Sequence, residues 1–445
     1  MKPDVFLVVT HDTGRYFGAY GRGTETPNFD DLAKDSLIFK NYFAVGPFCS
    51  INRAVLQTGK YPHANGVMGL VNPHLIWTLN PGEKNWARHL HSAGYETYLF
   101  GFQHETKTPQ EFYDHVVPFP GDHAQDVLPA VADFVKKKSR DSPVYASIGT
   151  FETHRPFYDA YYEVNPFWKK TPHDSVQVPP YLPDVDMVRY DLAGLWSSVN
   201  YFDHYLGELV KALDEFEREY LLVVTVDHGI PFPRAKSTLY DAGLETALLI
   251  KGDRVKEGVN EDLLSSVDLL PTLLDYLSLP IPQDLQGKSF LQSLTGKGKG
   301  DEYVIAQKNW HDDYDPIRAI RTKDHKLIWN LEERPLLSLP LDLLESETAQ
   351  AMKDDFLRHR PTFELYDLRN DPYELHNLAD TPAYQGLKEE LFGKLLKAMK
   401  DLGDPFLDPL YGRKLMDAYP LGLYRRDLWK GDIKYTVRPL RRASL

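Results

Sequence analysis

The single cysteine of this 445-residue chain opens a polar segment whose residue types favour nucleophilic chemistry. Cys49 is followed by Ser50, Asn52 and Arg53, and a short helical pattern then ends at Gly59. A lone thiol forms no disulfide within the chain, and a cysteine that serves only packing normally lies in an apolar run. At the start of a helix, free N–H groups and the helix dipole stabilise developing negative charge. We therefore predict that Cys49 is a nucleophile, with an inert buried side chain as the alternative.

Two acid–imidazole pairs lie where two predicted strands end. His11 and Asp12 follow one apolar run, and Asp227 and His228 follow another. In an open sheet, ligands bind beyond the carboxyl ends of the strands, so the two pairs can meet. Carboxylate oxygens and imidazole nitrogens that meet at one point bind divalent cations. The two pairs together predict a metal site, whereas a single aspartate at a strand end is more often a helix cap.

Further polar side chains are expected at the same edge of the sheet. His104 follows the strand near residue 101, His154 follows the strand near residue 149, and Lys236 lies nine residues after Asp227. Each of them alone would be an ordinary surface residue. Together they would surround Cys49 with imidazoles and one cation, an arrangement suited to an anionic substrate.

An alternation of apolar strands with amphipathic helices must position these residues. Strands are predicted over Val5–Thr10, Thr97–Gly101, Val144–Gly149, Leu221–Val226 and Ala247–Ile250, and helices over Ala124–Lys138, Asp186–Tyr220 and Ser266–Leu277. Continuous apolar strands separated by helices form a largely parallel sheet that is covered on both faces. The predicted fold class is α/β: a large mixed, mostly parallel sheet sandwiched by helices, with a smaller C-terminal antiparallel sheet plus a helix.

The pattern changes after Gly300, which predicts three parts. Residues 1–300 would form the catalytic domain, residues 301–402 an α+β subdomain that ends in a helix from Gln385 to Leu402, and residues 403–445 a basic tail. Residues 411–445 contain nine Lys and Arg against three Asp. The tail is expected to dock on an acidic surface of the chain. The alternative is that one of four arginines contacts an anionic substrate or a second subunit: Arg425, Arg426, Arg441 or Arg442.

The composition is that of a large globular protein, 42% hydrophobic and 26% charged. The net charge of −13 argues against nucleic acid as the main partner. No apolar run approaches the roughly 20 residues that span a bilayer. The first four residues lead almost directly into a strand, without the pattern of a signal peptide, which favours a cytoplasmic protein. An exported protein from which a leader had been trimmed would begin in the same way.

The order of the motifs resembles that of the sulfatases, in the alkaline phosphatase superfamily, over nearly the whole chain. The motifs are Thr26-Pro-Asn-Phe-Asp30, the cysteine segment with Thr58-Gly-Lys-Tyr-Pro-His63, Thr225-Val-Asp-His-Gly229, Val267-Asp-Leu-Leu-Pro-Thr272 and Glu364-Leu-Tyr-Asp-Leu368. The segment Asp227-His-Gly-Ile-Pro-Phe-Pro233 and the spacing of Gly18-Ala-Tyr20 are most similar to the N-sulfoglucosamine sulfohydrolase (heparan N-sulfatase) branch.

The resemblance implies a role for each candidate residue. In that family the motif cysteine is oxidised to formylglycine, whose hydrate attacks sulfur; here this residue would be Cys49, oriented by Arg53. His154 would protonate the leaving atom, Lys236 would neutralise the sulfate oxygens, and His104 would take the proton whose loss expels sulfate. The implied metal ligands are His11, Asp12, Cys49 as formylglycine, Asp227 and His228.

The same resemblance implies cofactors and partners. One divalent cation is expected, with calcium as the first choice and magnesium or manganese as alternatives, together with formylglycine made by a formylglycine-generating enzyme. The substrate would be a sulfated carbohydrate such as a glycosaminoglycan fragment, as ester or sulfamate, or another small sulfate ester. No nucleic acid and no membrane span are expected, and a homo-oligomer stays open.

Three positions depart from the family pattern. Ile51 stands where the family has proline or alanine, His11 replaces the first of two aspartates, and Phe102 replaces a lysine two residues before His104. A missing cation aimed at a sulfate oxygen would cost about 2–4 kcal/mol of transition-state stabilisation. Two rival functions therefore stay open: a phosphodiester or phosphonate monoester hydrolase of the same superfamily, and a non-catalytic binder of sulfated glycans.

Overall fold

Two β-sheets organise the chain. The computed structural model describes residues 2–73, 75–137, 142–157, 165–311, 314–352, 356 and 358–418. The strands of the large sheet are β1 (Asp4–Thr10), β2 (Leu37–Phe43), β3 (Glu96–Gly101), β4 (His115–Val117), β5 (Val144–Gly149), β6 (Tyr220–Val226), β7 (Leu248–Lys251) and β8 (Gly258–Ser265). The strands of the small sheet are β9 (Tyr303–Trp310), β10 (Tyr314–Thr322), β11 (His325–Asn330) and β12 (Phe363–Asp367).

The large sheet is mixed and mostly parallel, as predicted. Its strand order is β4-β3-β5-β1-β6-β7-β2-β8. Only β7 runs against its neighbours β6 and β2, and the other described pairings are parallel. Because β5, β1 and β6 are adjacent and parallel, the loops that follow them meet at one edge of the sheet.

Helices cover both faces of this sheet. The described α-helices span Pro27–Lys34, Cys49–Thr58, Pro62–Asn65, Trp86–Ser92, Ala124–Lys137, Asp186–Asp214, Asp241–Leu244, Leu269–Tyr276, Leu291–Leu294, Leu341–Leu344, Glu347–Ala351, Gln385–Leu402 and Tyr411–Ala418. Short 3₁₀ turns span Gly18–Tyr20, Pro109–Glu111, His173–Ser175, Ser266–Asp268, Pro382–Tyr384 and Pro405–Leu407.

Strand β1 shows why both faces must be covered. All seven of its residues are buried. Val5, Leu7 and Val9 pack into one hydrophobic core, and Phe6 and Val8 pack into the other. Successive side chains of a strand point to opposite faces, so a continuous apolar run of this kind needs a helical layer on each side.

The helical layers follow the same division. The helices Ala124–Lys137 and Asp186–Asp214 pack on the face of Phe6, and the helices Cys49–Thr58 and Leu269–Tyr276 pack on the face of Val5. None of the described helices has both the length and the apolar character required to span a bilayer.

Some predicted boundaries were wrong. The helix predicted over Asp186–Tyr220 ends at Asp214, and Tyr220 begins β6, where it pairs with Asp4. No glycine or proline marks this helix end, so the residues that usually signal the end of a helix are missing. The helix predicted over Ser266–Leu277 begins as a 3₁₀ turn and becomes α-helical over Leu269–Tyr276.

The small sheet is antiparallel, in the order β12-β11-β10-β9, as predicted. The helix Gln385–Leu402 packs against it through Leu391, Leu395 and Met399. The three-part division at residues 300 and 402 stays a prediction. Most of the predicted basic tail, including its four named arginines, lies outside the described residues.

Candidate active site

The ends of β1 and β6 bring the two acid–imidazole pairs into contact. Thr10 pairs with Val226 at the last register position of the two strands. Asp12 then takes a left-handed backbone conformation, with φ of 56°, which costs a non-glycine residue some energy. Its backbone N–H donates to Asp227 Oδ1 at 2.8 Å. This bond fixes one carboxylate beside the other at the edge of the sheet.

Four fully buried side chains form a compact cluster of donor atoms. These side chains are His11, Asp12, Asp227 and His228, and their donor atoms all lie within 4.8 Å of one another. Asp12 Oδ1 lies 2.8 Å from His11 Nδ1 and 2.7 Å from His228 Nε2. Burial acts to lower the pKa of each imidazole, but Asp12 and Asp227 outweigh it and raise the pKa to about 9 for His11 and about 10 for His228. The cluster therefore strongly favours a cation among its atoms.

The backbone around His228 leaves no freedom for its ring. His228 Nδ1 donates to the carbonyl oxygen of Gly229 at 2.9 Å. A Cβ atom on Gly229 would lie 1.9 Å from the carbonyl oxygen of Ala242, so only glycine fits after the histidine. A histidine held in this way through one nitrogen presents the other to a ligand in a fixed direction.

Cys49 begins the helix Cys49–Thr58 and faces this cluster from the other side. Its thiol is buried, and Cys49 Sγ lies 3.2 Å from His104 Nδ1. Burial acts to raise the pKa of the thiol, but the charge of His104 and the hydrogen bonds of His104, His11 and His228 outweigh it and hold the pKa well below its usual value. A lowered thiol pKa is a property that a nucleophile needs, and the role of Cys49 stays a prediction.

The first turn of the same helix is fixed to the cluster by two side chains. Arg53 Nε donates to Asp227 Oδ2 at 3.0 Å, and its guanidinium lies 4.8 Å from the ring centre of Phe102. The amide of Asn52 donates to the carbonyl oxygen of Asp227 and accepts from the backbone of Val45 at 3.0 Å. The helix start and the loop after β6 thus form one rigid unit.

Lys236 links the cluster to a carboxylate from the C-terminal part of the chain. Its ammonium lies 2.7 Å from both Asp12 Oδ2 and Asp342 Oδ2. Burial acts to lower the pKa of Lys236, but the two carboxylates outweigh it and raise the pKa. Asp342 Oδ2 also lies 3.6 Å from His154 Nε2. Lys236, Asp342 and His154 therefore form one connected group next to the donor cluster.

His154 is neutral in this arrangement. Burial, together with the charges of Lys236 and His11, lowers its pKa to about 4. Its ring lies 4.6 Å from the ring of His11 and 4.9 Å from the ring of Phe151, measured between centroids. An anion bound between Lys236 and His154 would offset the positive charges and raise the pKa of this imidazole.

All nine residues singled out in the sequence lie in this one site, and their roles stay predictions. The strand ends place six of them, because parallel strands finish at the same edge. Sequence reasoning missed Asp342, and it noted Asn52 only as a polar residue of the cysteine segment, without its contact to Asp227. Asp342 lies in the four-residue helix Leu341–Leu344, 106 residues after Lys236, and no local pattern points to it.

The donor atoms fit a bound divalent cation. The site offers two carboxylates and two imidazoles, all buried. His228 Nε2 lies 2.7 Å from Asp12 Oδ1. A bound cation would replace the proton that these two atoms otherwise share, because metal ions bind deprotonated imidazole and carboxylate groups.

The sequence matches two protein-family models. The model of the sulfatases matches residues 3–279, and the model described as "N-sulphoglucosamine sulphohydrolase, C-terminal" matches residues 234–348. An ulvan-active sulfatase from Formosa agariphila is 28% identical over 466 residues, which cover 91% of this chain and 76% of the relative. The human N-sulphoglucosamine sulphohydrolase is 28% identical over 462 residues, which cover 91% of each chain.

Solved structures of the same fold include proteins with different names. The sulfatase yidJ from Bacteroides fragilis superposes with a TM-score of 0.73 at 19% identity, over 91% of this chain and 97% of that chain. A phosphonate monoester hydrolase from Silicibacter pomeroyi superposes with a TM-score of 0.66 at 19% identity, over 91% of this chain and 97% of that chain. These likenesses support the predicted alkaline-phosphatase-like fold and leave the choice of reaction to the site and the sequence.

Proposed function

The chain belongs to the sulfatase family, and on that premise we propose that it removes a sulfate group from a carbohydrate, as a sulfate ester or as a sulfamate. It is a sulfuric ester hydrolase by family. The observation that carries the proposal is the convergence of Cys49, the four-residue donor cluster and Lys236 at one edge of the sheet. A nucleophile, metal ligands and a cation for the substrate anion would thus lie side by side.

We assign the nucleophile to residue 49 after oxidation to formylglycine. The hydrate of that aldehyde would supply the attacking oxygen, and a divalent cation bound by the donor cluster would lower the pKa of that oxygen and polarise the sulfate. His104, whose Nδ1 lies 3.2 Å from the side chain of residue 49, is placed to take a proton from a group at that position. Arg53 holds Asp227 in place through its 3.0 Å bond.

We assign the sulfate and the leaving atom to the opposite side of the site. Lys236 is the buried cation that would contact the sulfate oxygens, since its pKa is raised and it stays charged. His154 would donate a proton to the leaving oxygen or nitrogen. Its pKa of about 4 in the free protein would rise when the negative sulfate lies beside it. Substrate binding would therefore favour the protonated form of His154, which can act as the acid.

The carbohydrate substrate class rests on the relatives. One curated relative is named for its activity on ulvan and another for N-sulphoglucosamine, and each match covers 91% of this chain. The C-terminal family model of N-sulphoglucosamine sulphohydrolase also matches residues 234–348, the region that contributes Lys236 and Asp342. The resemblance makes calcium the first choice for the cation. The partner that would convert Cys49 is a formylglycine-generating enzyme.

A substrate panel tests this function. Peptide mass spectrometry first determines how much of residue 49 has become formylglycine, a loss of about 18 Da as oxygen replaces sulfur and two hydrogens leave. That preparation is then assayed with an aryl sulfate, N-sulfated and O-sulfated glucosamine, a phosphodiester and a phosphonate monoester. We expect turnover of sulfated compounds in proportion to the formylglycine content. Turnover of the phosphorus compounds alone would favour the phosphohydrolase.

Phe102 is the reason to test the phosphohydrolase and the non-catalytic glycan binder as well. It packs on Arg53 at the position where the family has a sulfate-binding lysine. A glycan binder that has lost catalysis would bind N-sulfated glucosamine without hydrolysing it even when residue 49 is fully converted. Calorimetry with the same sulfated sugars separates this outcome from an inactive preparation that binds nothing.

A further inference from the structure

The donor cluster contains as many imidazoles as carboxylates, and this composition bears on which ion it selects. The four buried ligand side chains are His11, Asp12, Asp227 and His228. Calcium is normally bound by six to eight oxygen atoms, whereas imidazole nitrogen suits zinc and other first-row transition ions. The identity of the ion thus depends on whether both imidazoles face it and on how many oxygens the carboxylates have left.

His228 directs its second ring nitrogen to the centre of the cluster. The carbonyl oxygen of Gly229 can only accept, so His228 Nδ1 carries the proton of their 2.9 Å bond. The other nitrogen, Nε2, lies 2.7 Å from Asp12 Oδ1. An ion bound at this point would therefore contact an imidazole nitrogen and a carboxylate oxygen together.

His11 is packed so that its Nδ1 stays in the cluster. This nitrogen lies 2.8 Å from Asp12 Oδ1 and 3.5 Å from Asp227 Oδ2. The ring lies against Phe102 and Phe151, with centroid distances of 5.0 and 5.8 Å. Because these rings surround it and the side chain is buried, His11 is held with this nitrogen in the cluster.

The carboxylates cannot compensate with extra oxygens. Asp12 Oδ2 is bound by the ammonium of Lys236 at 2.7 Å, and Asp227 Oδ2 is bound by Arg53 Nε at 3.0 Å. Asp227 Oδ1 also accepts two backbone N–H groups, those of Asp12 and His228. Three of the four carboxylate oxygens thus already accept hydrogen bonds, which leaves fewer lone pairs for an ion and disfavours the bidentate binding that calcium sites use.

We propose that this site selects a divalent first-row transition ion over calcium, with zinc preferred to manganese. The inference rests on the proposed function only in placing a cation at this site. His11 is the determining residue, since it supplies a nitrogen where the family pattern has a carboxylate. The order of affinities among such ions follows the general preference of mixed nitrogen and oxygen sites, in which zinc exceeds manganese.

Metal competition on the unmodified chain tests the inference without any assay of turnover. The purified protein is stripped with a chelator and dialysed against equal concentrations of calcium, manganese and zinc, and the retained metals are measured by elemental mass spectrometry. We expect the transition ions to exceed calcium by at least about tenfold, and cobalt to give the visible absorption of a nitrogen-containing site. Calcium at equal or higher occupancy would overturn the proposal.

The substitution His11→Asp tests the role of the nitrogen, with His173→Asp as its matched control at an exposed position. We expect the ratio of transition ion to calcium to fall by about tenfold or more in His11→Asp and to stay unchanged in the control. Circular dichroism and urea unfolding show whether the variant is folded. An unchanged ratio in folded His11→Asp protein would show that His11 is not a ligand.

Different results would contradict the metal assignment and the proposed function. A protein that retains manganese or zinc over calcium but turns over no sulfated compound contradicts the function and leaves the metal assignment standing. A protein that hydrolyses sulfate esters with calcium bound contradicts the metal assignment and leaves the function standing.

Discussion

At the scale of single residues, Asp342 has the clearest consequence for the reaction. Its carboxylate contacts Lys236 at 2.7 Å and lies 3.6 Å from His154 Nε2, so it fixes the two groups that would bind the sulfate and protonate the leaving atom. Burial acts to raise the pKa of Asp342, but Lys236 and His154 outweigh it and lower the pKa, so the carboxylate is charged. We therefore expect Asp342 to act as a positioning residue with an electrostatic effect on the site.

The substitution Asp342→Asn should lower kcat/KM for sulfate esters by about 10- to 100-fold, the usual effect of losing a group that orients an active-site ligand. The loss should lie in kcat, because removal of a negative charge leaves the site more positive and does not weaken binding of an anion. The exposed Glu345, at the end of the same helix, gives the matched control Glu345→Gln. A purely structural role would instead raise KM and lower the melting temperature.

His154 gives a second prediction at this scale. A sulfamate has a nitrogen leaving group that departs only when protonated, whereas an activated aryl sulfate leaves without a proton. His154→Ala should therefore reduce kcat/KM for N-sulfated glucosamine far more than for the aryl sulfate. The comparison is made on the same preparation for both substrates. Equal losses would mean that His154 holds the sulfate and is not the acid.

At the scale of elements, the loop after β5 depends on one buried ion pair. Arg155, next to His154, is bound by Asp191 of the helix Asp186–Asp214 through two bonds of 2.6 and 2.7 Å. Asp191 also accepts the hydroxyl of Thr348 at 2.6 Å. The pair thus connects the loop after β5, the longest described helix and the C-terminal part of the chain.

The substitution Asp191→Ala should lower the free energy of unfolding by about 3–5 kcal/mol, because it leaves the guanidinium of Arg155 buried without its partner. The control is Asp184→Ala, which breaks the exposed pair between Asp184 and Arg189 and should have little effect. Urea unfolding of the two variants measures both values. Equal small changes would show that Arg155 finds other partners or reaches water.

The 3₁₀ turn before the helix Leu269–Tyr276 contains a buried acid, Asp268, which accepts the backbone N–H of Lys288 at 2.7 Å. Burial and the nearby charge of Asp301 raise the pKa of Asp268 from the ordinary aspartate value of 3.8 to about 7. The folded chain therefore keeps a proton that the unfolded chain releases at lower pH. The stabilisation that this proton gives is complete below the unfolded value and is lost as pH rises through about 7.

Removal of the repelling charge should weaken this pH dependence. In Asp301→Asn the pKa of Asp268 should fall towards its ordinary value. The free energy of unfolding should then decrease less from about pH 5 to about pH 7 than it does in the parent chain. The exposed Asp253 gives the control Asp253→Asn, for which the slope should stay the same. Urea unfolding at the two pH values provides the measurement, and an equal slope in all three proteins would contradict the assignment.

At the scale of the whole molecule, buried ion pairs join the small sheet to the large-sheet part of the chain. Lys326 of β11 contacts both Asp241 and Glu374, at 2.5 and 2.8 Å, and Asp241 belongs to the helix Asp241–Leu244 of the large-sheet part. The C-terminal part of the chain also contributes Asp342 to the candidate site, through its 2.7 Å contact with Lys236.

A bound ion should stabilise the whole fold, because its ligands come from the ends of two central strands. Removal of metal with a chelator should lower the melting temperature, and return of a transition ion should restore it. An ion present at about 100 times its dissociation constant contributes about 2.7 kcal/mol to the free energy of unfolding. A melting temperature that neither the chelator nor any divalent ion changes would contradict a metal site.

The extent to which the sequence predicts this molecule depends on how far apart the contributing residues lie. His11, Asp12, Asp227 and His228 could be placed together because adjacent parallel strands end at one edge. The contact of Lys236 with Asp342 could not, because it joins two short segments across 106 residues and is made by tertiary packing alone. The end of the helix at Asp214 was missed for a local reason, since no glycine or proline marks it.

The central claim is that residue 49 performs sulfate-ester hydrolysis, and the substitution Cys49→Ala tests it most directly. The measurement is kcat/KM for an aryl sulfate and a sulfated glucosamine, with the parent chain shown by mass spectrometry to contain formylglycine at residue 49. We predict that the parent chain turns over the sulfated compounds, while the alanine variant folds with the same melting behaviour and has no detectable activity. Retained hydrolysis in Cys49→Ala would remove residue 49 from the mechanism and contradict the claim.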